Sequence, residues 1–345
     1  MEDVLVLYNQ VNTSDSTFQE SRGGVLDQVR AVLEALDKLG IPSESLAVEN
    51  LQHLVSLLKL RKEKLIFNLI EEFPGSSRDA CAVPALCEAF GAGCTGSGTE
   101  ALFLAQDKAR TRAILTAAGL PCPMGLTVEP GRPFPMERLK KGIYIIKPAC
   151  SDASEGIGQD SVVTIPSRQA AEKVEKIHQE FHQAAIVEQF IPARELNVSI
   201  IETAGKTRVL PLAEIDFSAF PKGMPRIVDY QAKWIKDSFA YQNTPRIIPA
   251  PLEEPLAEKI RTLAIQAWQA LDCRGYARVD FRLDEKNQPY ILEINPNPDI
   301  SPDAGFAAAL AAAQIPYERF VWLMLRNAIQ TRNRNALSAQ NGASL

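Results

Sequence analysis

The sequence predicts an α/β chain divided into three lobes. Short apolar strands alternate with segments of helical periodicity, which is the pattern of α/β architecture. At 345 residues the chain exceeds what one hydrophobic core usually organises. Its composition is that of a folded protein: 46% hydrophobic, 23% charged, with 19 glycines, 23 prolines and 6 cysteines. Those values exclude disordered, collagen-like and disulfide-framework chains.

Charge and sorting signals narrow the class further. The 37 basic and 42 acidic side chains give a formal charge of −5 and form no long Lys/Arg block. No nucleic-acid partner is expected. No apolar run is long enough to span a membrane, and Met1-Glu2-Asp3 lacks the basic start of a signal peptide. The six cysteines include no C-x-x-C pair, so they read as reduced thiols and the expected location is cytoplasmic.

Residues 1–105 are expected to form a small open parallel sheet with helices. Val4 to Tyr8 and Leu65 to Ile70 read as buried strands. Between them, Val25, Val29, Val32, Leu33 and Leu36 mark a helix that closes at Gly40 before Pro42. A further helix is expected over about 78–90. Residues 106–191 form the second lobe: a helix ending at Gly119, strands at 143–147, 162–165 and 185–191, and a charged helix near 167–183. Residues 192–330 form the third, with strands near 196–202 and 209–217, a helix near 256–271 and two late strands. Residues 331–345 read as a polar, frayed tail.

The two late strands carry the most chemistry. Gly275 to Asp284 and Pro289 to Asn295 both alternate with period two, and the turn formers between them make a hairpin the economical reading. If Asp284 pairs with Pro289, then Asp280 faces Glu293 and Arg278 faces Asn295. All four then lie opposite Val279, Phe281, Leu292 and Ile294. Two carboxylates directly across a ladder repel by roughly 3 kcal/mol at about 5 Å and an effective dielectric near 20. A divalent cation between the oxygens relieves this, and Mg²⁺ prefers such hard ligands shared with phosphates. The competing reading is a solvated face in which Arg278 and Arg282 neutralise the acids.

Other segments say less alone. Lys147 ends a buried strand and leads into the small-residue loop Ser151 to Gly158, either a phosphate cradle or an ordinary polar loop. Glu188 and Glu195 flank the junction of lobes two and three, where ligands often bind but linkers also run. Gly91 to Gly96 matches G-x-G-x-x-G but follows a helix, so it is no dinucleotide fingerprint. His178 and His182 have zinc-like spacing without a third ligand, and His53 stands alone.

In combination and order these segments resemble the ATP-grasp superfamily, in its D-alanine–D-alanine ligase-like branch. The pieces are Lys147-Pro148 with the loop to Gly158, Glu188-Gln189-Phe190-Ile191 with Arg194-Glu195, Asp229 to Trp234, Ala277 to Phe281, Leu292 to Pro296, and Thr95 to Gly98 before Asp107-Lys108. The resemblance implies an ATP-grasp fold with nucleotide held between the second and third lobes. It implies that Lys108 and Lys147 hold ATP phosphates under the loop containing Ser154 and Gly156. Glu188 and Ile191 would face the adenine, Glu195 the ribose, and Lys233 would approach from a mobile loop.

By the same resemblance Asp280, Glu293 and Asn295 would carry two Mg²⁺ (or Mn²⁺) ions, and Arg278 would stabilise a tetrahedral intermediate. The implied reaction joins a small-molecule carboxylate to an amine through an acyl phosphate. A homodimer is an expectation by analogy with relatives. Four departures stand out. Gly23 occupies the family's catalytic glutamate position and Ala153 that of its loop serine. Trp234 replaces a tyrosine, and Pro296-Asn297-Pro298-Asp299 replaces Thr-x-Pro-Gly. These point to a divergent amino-acid site. The alternatives are a genuine D-alanine–D-alanine ligase and an ATP-binding regulatory protein without ligase activity.

Overall fold

The computed structural model describes residues 2–11, 19–61, 65–73 and 77–342. Among them the strands form three sheets. The first is parallel: β1 (Val4–Asn9), β2 (Ser43–Val48), β3 (Leu65–Leu69) and β4 (Gly93–Cys94), in the order β2-β1-β3-β4. Helices α1 (Gln19–Lys38), α2 (Leu51–Leu60) and α3 (Val83–Ala89) make the crossovers. α1 stops where Gly40 adopts a left-handed φ of 64° and Ile41 donates its N–H to Leu36 O. The helix expected over 78–90 is divided, with a 3-10 segment at Ser77–Ala82 before α3. Pro84 fits the first turn of a helix but not its interior.

Helices α4 (Thr99–Ala105) and α5 (Lys108–Ala117) lead into the second sheet. Asp107 caps α5 by accepting from the N–H groups of Ala109 and Arg110. Strands β5 (Gly125–Val128), β6 (Gly142–Pro148), β7 (Val162–Ile165) and β8 (Ala185–Gln189) are antiparallel in the order β5-β8-β6-β7. Helix α6 (Arg168–Phe181) packs Ala170, Val174 and Ile177 against them.

The third sheet is antiparallel: β9 (Arg194–Thr203), β10 (Lys206–Val209), β11 (Ala213–Ile215), β12 (Arg246–Ile247), β13 (Tyr276–Leu283) and β14 (Pro289–Asn295). Its order is β12-β11-β9-β13-β14, with β10 also on β9. The strand expected over 209–217 is two strands, interrupted at Pro211, which has no N–H for the ladder. Short helices α7 (Tyr230–Trp234) and α8 (Phe239–Gln242) overhang the sheet's open face, and α9 (Glu254–Ala270) covers the other.

Helices α10 (Gly305–Ala312) and α11 (Tyr317–Gly342) close the chain. The frayed tail expected from residue 331 is corrected as far as Gly342, because α11 runs on and Arg332 pairs with Glu2 at 2.6 Å. Phe320, Met324 and Ala328 of α11 share one core with Val4, Phe67 and Val29. The C-terminal helices therefore complete the first lobe's core. All six cysteines are free, and no described helix is long and apolar enough to cross a membrane.

Candidate active site

All three lobes line one cavity of about 920 Å³. Its floor is the β13–β14 hairpin, where Asp280 lies opposite Glu293 and Arg278 opposite Asn295. The turn differs from the expectation. Leu283, not Asp284, pairs with Pro289, and a bulge between Asp280 and Phe281 restores the register by inserting one residue of β14. Ile291 and Ile294 consequently take the core side while Leu292, expected in the core, lines the cavity. Leu292 is an apolar platform that the simple alternation could not assign.

The hairpin's charges are partnered. Arg278 donates from Nε and Nη2 to the two oxygens of Asp280 at 2.7 and 2.8 Å, and Asn197 Nδ2 donates to Asp280 Oδ1 at 2.8 Å. Asn295 Oδ1 accepts from the N–H of Asn297 at 2.9 Å. Arginine neutralisation of Asp280, the competing reading of the sequence, is thus present for one of the two acids. Glu293 is different. Burial opposes its charge, but Lys108, Lys233, Lys147 and Arg278 together outweigh that and pull its pKa down to about 2. Lys108 Nζ is 3.9 Å from Glu293 and 3.6 Å from Asp152. Lys108 itself is only 6% exposed, yet these two acids overcome its burial and raise its pKa.

The second lobe supplies Lys147 and Glu188 from adjacent strands of one face. Lys147 Nζ lies 2.9 Å from Glu188 Oε2, an ion pair without hydrogen-bond alignment, and Arg112 donates to Oε1 at 3.2 Å. Glu188 therefore lines the cavity as the anchor of two cations. Ile191 is buried on the cavity wall. Glu195 accepts from Arg282 Nη1 at 3.1 Å, and that guanidinium lies 4.9 Å above the Phe190 ring. Burial raises the Glu195 pKa against the opposing pull of Arg282.

The loop from Ser151 to Gly158 is latched onto the third lobe. Ser154 Oγ donates to Val228 O at 2.9 Å, Tyr230 N–H to Ile157 O at 3.2 Å, and Gln159 Nε2 to Asp229 Oδ2 at 3.1 Å. Asp229 in turn caps α7, which carries Lys233 into the cavity. Burial, with Arg278 nearby, lowers the Lys233 pKa. Gly156 is not on the cavity wall. It has a φ of 75°, and a Cβ there would come within 2.6 Å of Pro148 Cγ and 2.7 Å of Phe181 Cζ. Its place in the loop therefore carries a conformational requirement of its own.

Among the described residues no group of three His, Cys, Asp or Glu could hold a metal ion. His178 bonds through Nε2 to Val128 O, and His182 ends α6 in the left-handed region, so no zinc pair forms.

This arrangement agrees with comparisons to known proteins. A family model described as D-ala D-ala ligase C-terminus matches residues 139–326. A D-alanine–D-alanine ligase of Ralstonia pickettii is 30% identical over 84% of this chain and 82% of its own length. One from Bordetella avium is 31% identical over 68% of this chain and 69% of its own. The chain belongs to the D-alanine–D-alanine ligase family. The solved D-alanine–D-alanine ligase of Bacillus anthracis complexed with ATP superposes with a TM-score of 0.75 at 17% identity, covering 97% of this chain and 99% of that one. The fold is ATP-grasp.

Within this D-alanine–D-alanine ligase-like protein, Trp234 and Ala153, two of the positions singled out in the sequence, meet beside Gly24. Trp234 lies over Gly24, where a Cβ would stand 3.3 Å from Cζ3, and its Nε1–H donates to Ala153 O at 2.9 Å. One indole thus ties the start of α1, the second-lobe loop and α7 together. Gly23 beside it faces open space. The Pro296-Asn297-Pro298-Asp299 segment bridges lobes. Asn297 donates to Ile70 O at 3.2 Å and accepts from Tyr276 Oη at 2.8 Å. Sequence reasoning missed Glu71 and Gln28, which line the same end of the cavity. Gln28 Nε2 donates to Glu71 Oε1 at 2.8 Å. No periodic or motif signal marks either residue.

Proposed function

We propose that the protein is an ATP-dependent carboxylate–amine ligase with a divergent amino-acid site. The observation that carries this is the paired register of Asp280 with Glu293 and Arg278 with Asn295 on a cavity floor flanked by Lys147 and Lys233, with Lys108 beside Glu293. Four cations converging from four elements suit a triphosphate, and the cavity's volume admits one. The hard oxygens of Asp280, Glu293 and Asn295 fit Mg²⁺ chemically. They fit it only together with an anionic ligand, because Arg278 and the lysines already match both carboxylates. When bound, Mg²⁺ would neutralise phosphate charge and polarise the γ-phosphoryl group. Leu292 offers an apolar surface for the base, and Glu195 a partner for ribose hydroxyls.

In this reading a substrate carboxylate oxygen attacks the γ-phosphorus and ADP leaves, giving an acyl phosphate. An amine nitrogen then adds to the carbonyl carbon. The carbon–oxygen bond to phosphate breaks, and the nitrogen loses a proton. Arg278 supports the oxyanion that forms during addition, an electrostatic role that must be preorganised to be effective. Its double hydrogen bond to Asp280 supplies that preorganisation. Lys147 is held by Glu188, and Lys108 by Asp152 and Glu293, so each ammonium is aimed before ligand arrives. The latched loop keeps water from the acyl phosphate.

Trp234, Gly23, Ala153 and Asp299 at the other end support a donor and acceptor other than two D-alanines. Two assays test the reading. Mg-ATP should bind in a calorimetric titration, and ATP with D-alanine should release phosphate only slowly. Rapid formation of D-alanyl-D-alanine would return the protein to the cell-wall reaction. Failure to bind Mg-ATP would remove the ligase reading altogether.

A further inference from the structure

The first-lobe end of the cavity carries a carboxyl group that the nucleotide reading does not use. Glu71 follows β3 at the carboxyl edge of the parallel sheet, where open α/β sheets present ligand contacts. Its backbone N–H is held by Asn9 Oδ1, at the end of neighbouring β1, at 3.2 Å. Its side chain is oriented from α1. The N–H of Ile300 occupies Gln28 Oε1 at 3.3 Å, so the amide must turn Nε2 toward Glu71. Gln28 and Asn9 are both buried. One carboxylate oxygen is therefore fixed while the residue remains open to the cavity.

The surroundings of Glu71 are acidic. Burial in the cleft raises its pKa to about 8 against the Gln28 hydrogen bond, and Asp299, Asp152 and Glu72 push it the same way. The nearby guanidinium groups of Arg278 and Arg246 act on Asp299 instead, and Lys108 and Lys233 act on Asp152. No cation is among the largest influences on Glu71 itself. Gly23 leaves open space in the same wall. An anionic group entering here would add to the acids already present, whereas a cationic one would pull the Glu71 pKa back down, release its proton and complete an ion pair.

Resting on the ligase reading above, we propose that Glu71 selects the substrate by charge. The substrate that reaches the first-lobe end of the cleft carries an ammonium or guanidinium group away from its reacting atom. Gln28 is the positioning residue that aims the carboxylate.

The test measures binding to the full chain saturated with Mg²⁺ and a non-hydrolysable ATP analogue. The analogue's own affinity is measured first, so loss of the nucleotide reading is seen separately. The probes are lysine, ornithine and arginine against norleucine and citrulline, in both enantiomers. At least one cationic amino acid should bind about tenfold or more tightly than its neutral isostere, the worth of one charge-assisted contact. Glu71→Gln should erase that preference while leaving analogue affinity unchanged, and Glu71→Asp should retain part of it. Gln28→Leu should weaken the preference without abolishing it. Equal binding of cationic and neutral probes, absence of cationic binding, or an unchanged preference in Glu71→Gln would each overturn the proposal. So would an equal fall in kcat for every substrate at constant KM, which would mark Glu71 as a proton-transfer group.

Discussion

At one end of the cleft Glu293 sits among Lys108, Lys147, Lys233 and Arg278, and its pKa falls to about 2. At the other, burial, seconded by Asp299 and Asp152, raises the Glu71 pKa to about 8. The same side-chain chemistry is driven in opposite directions within one cavity. The cationic end is built from strands and a latched loop whose polar groups hold one another. The acidic end is built from a strand terminus, a helix flank and the turn after β14. The first end suits a ligand of fixed charge, a triphosphate. The second can change with the substrate without disturbing the first.

The largest effect that would separate the two ends is loss of the guanidinium that joins them. Arg278→Ala should lower kcat by about a hundredfold to a thousandfold, the usual result of removing one oxyanion donor. ATP affinity should stay close to wild type in a titration. A parallel collapse of both would mean that Arg278 chiefly holds Asp280 in place. Next, Lys147→Met should weaken ATP binding by about tenfold to a hundredfold. Glu188→Gln, which only loosens Lys147 and Arg112, should cost less. Equal losses would mark Glu188 as a direct base contact.

Gly156→Ala tests whether that loop position is conformational. A left-handed φ and the clash with Pro148 and Phe181 should cost about 1–3 kcal/mol in urea unfolding. Stability equal to wild type would show that the loop absorbs the methyl group. Gly24→Ala asks a gentler question, since its new methyl group would meet only the edge of Trp234 at 3.3 Å. A rise of about twofold to fivefold in substrate KM, with fold stability kept within about 0.5 kcal/mol, would mark the indole as part of the substrate wall. The smallest effect is in pH. Because Glu71 holds its proton in the folded state up to about 8, well above the ordinary carboxylate value, the free protein should lose stability as pH rises toward that point. Glu71→Gln should flatten this slope in thermal unfolding from pH 5 to 9.

The two ends also differ in how legible they are. The hairpin register of Asp280 with Glu293 is read from alternation and the assumed Asp284–Pro289 turn, and it holds although that turn is one residue off, because the bulge at Leu292 compensates. That same bulge hides Leu292's place on the cavity wall. Lys147 and Glu188 are readable as residues on buried strands, but their pairing with each other and with Arg112 depends on strand order. β2 and α2 give weak signals, since β2 begins exposed and α2 buries only Leu54 and Leu58. Glu71, Gln28 and Asp299 come from distant parts of the chain and meet at one end of the cavity, beside the core that α10 and α11 share with the first sheet. No local pattern could announce them. The meeting of Gly24, Ala153 and Trp234 is equally a product of lobe closure.

The central claim is that one end of the cleft keeps ATP-driven amide formation while the other reads a different pair of substrates. An ADP-release assay over pooled amino acids and small amines, with the condensed product identified by mass, tests it most directly. The account predicts ADP in step with an amide whose two halves are not both D-alanine. Product consisting only of D-alanyl-D-alanine, or no ADP from any mixture while Mg-ATP binds, would contradict it.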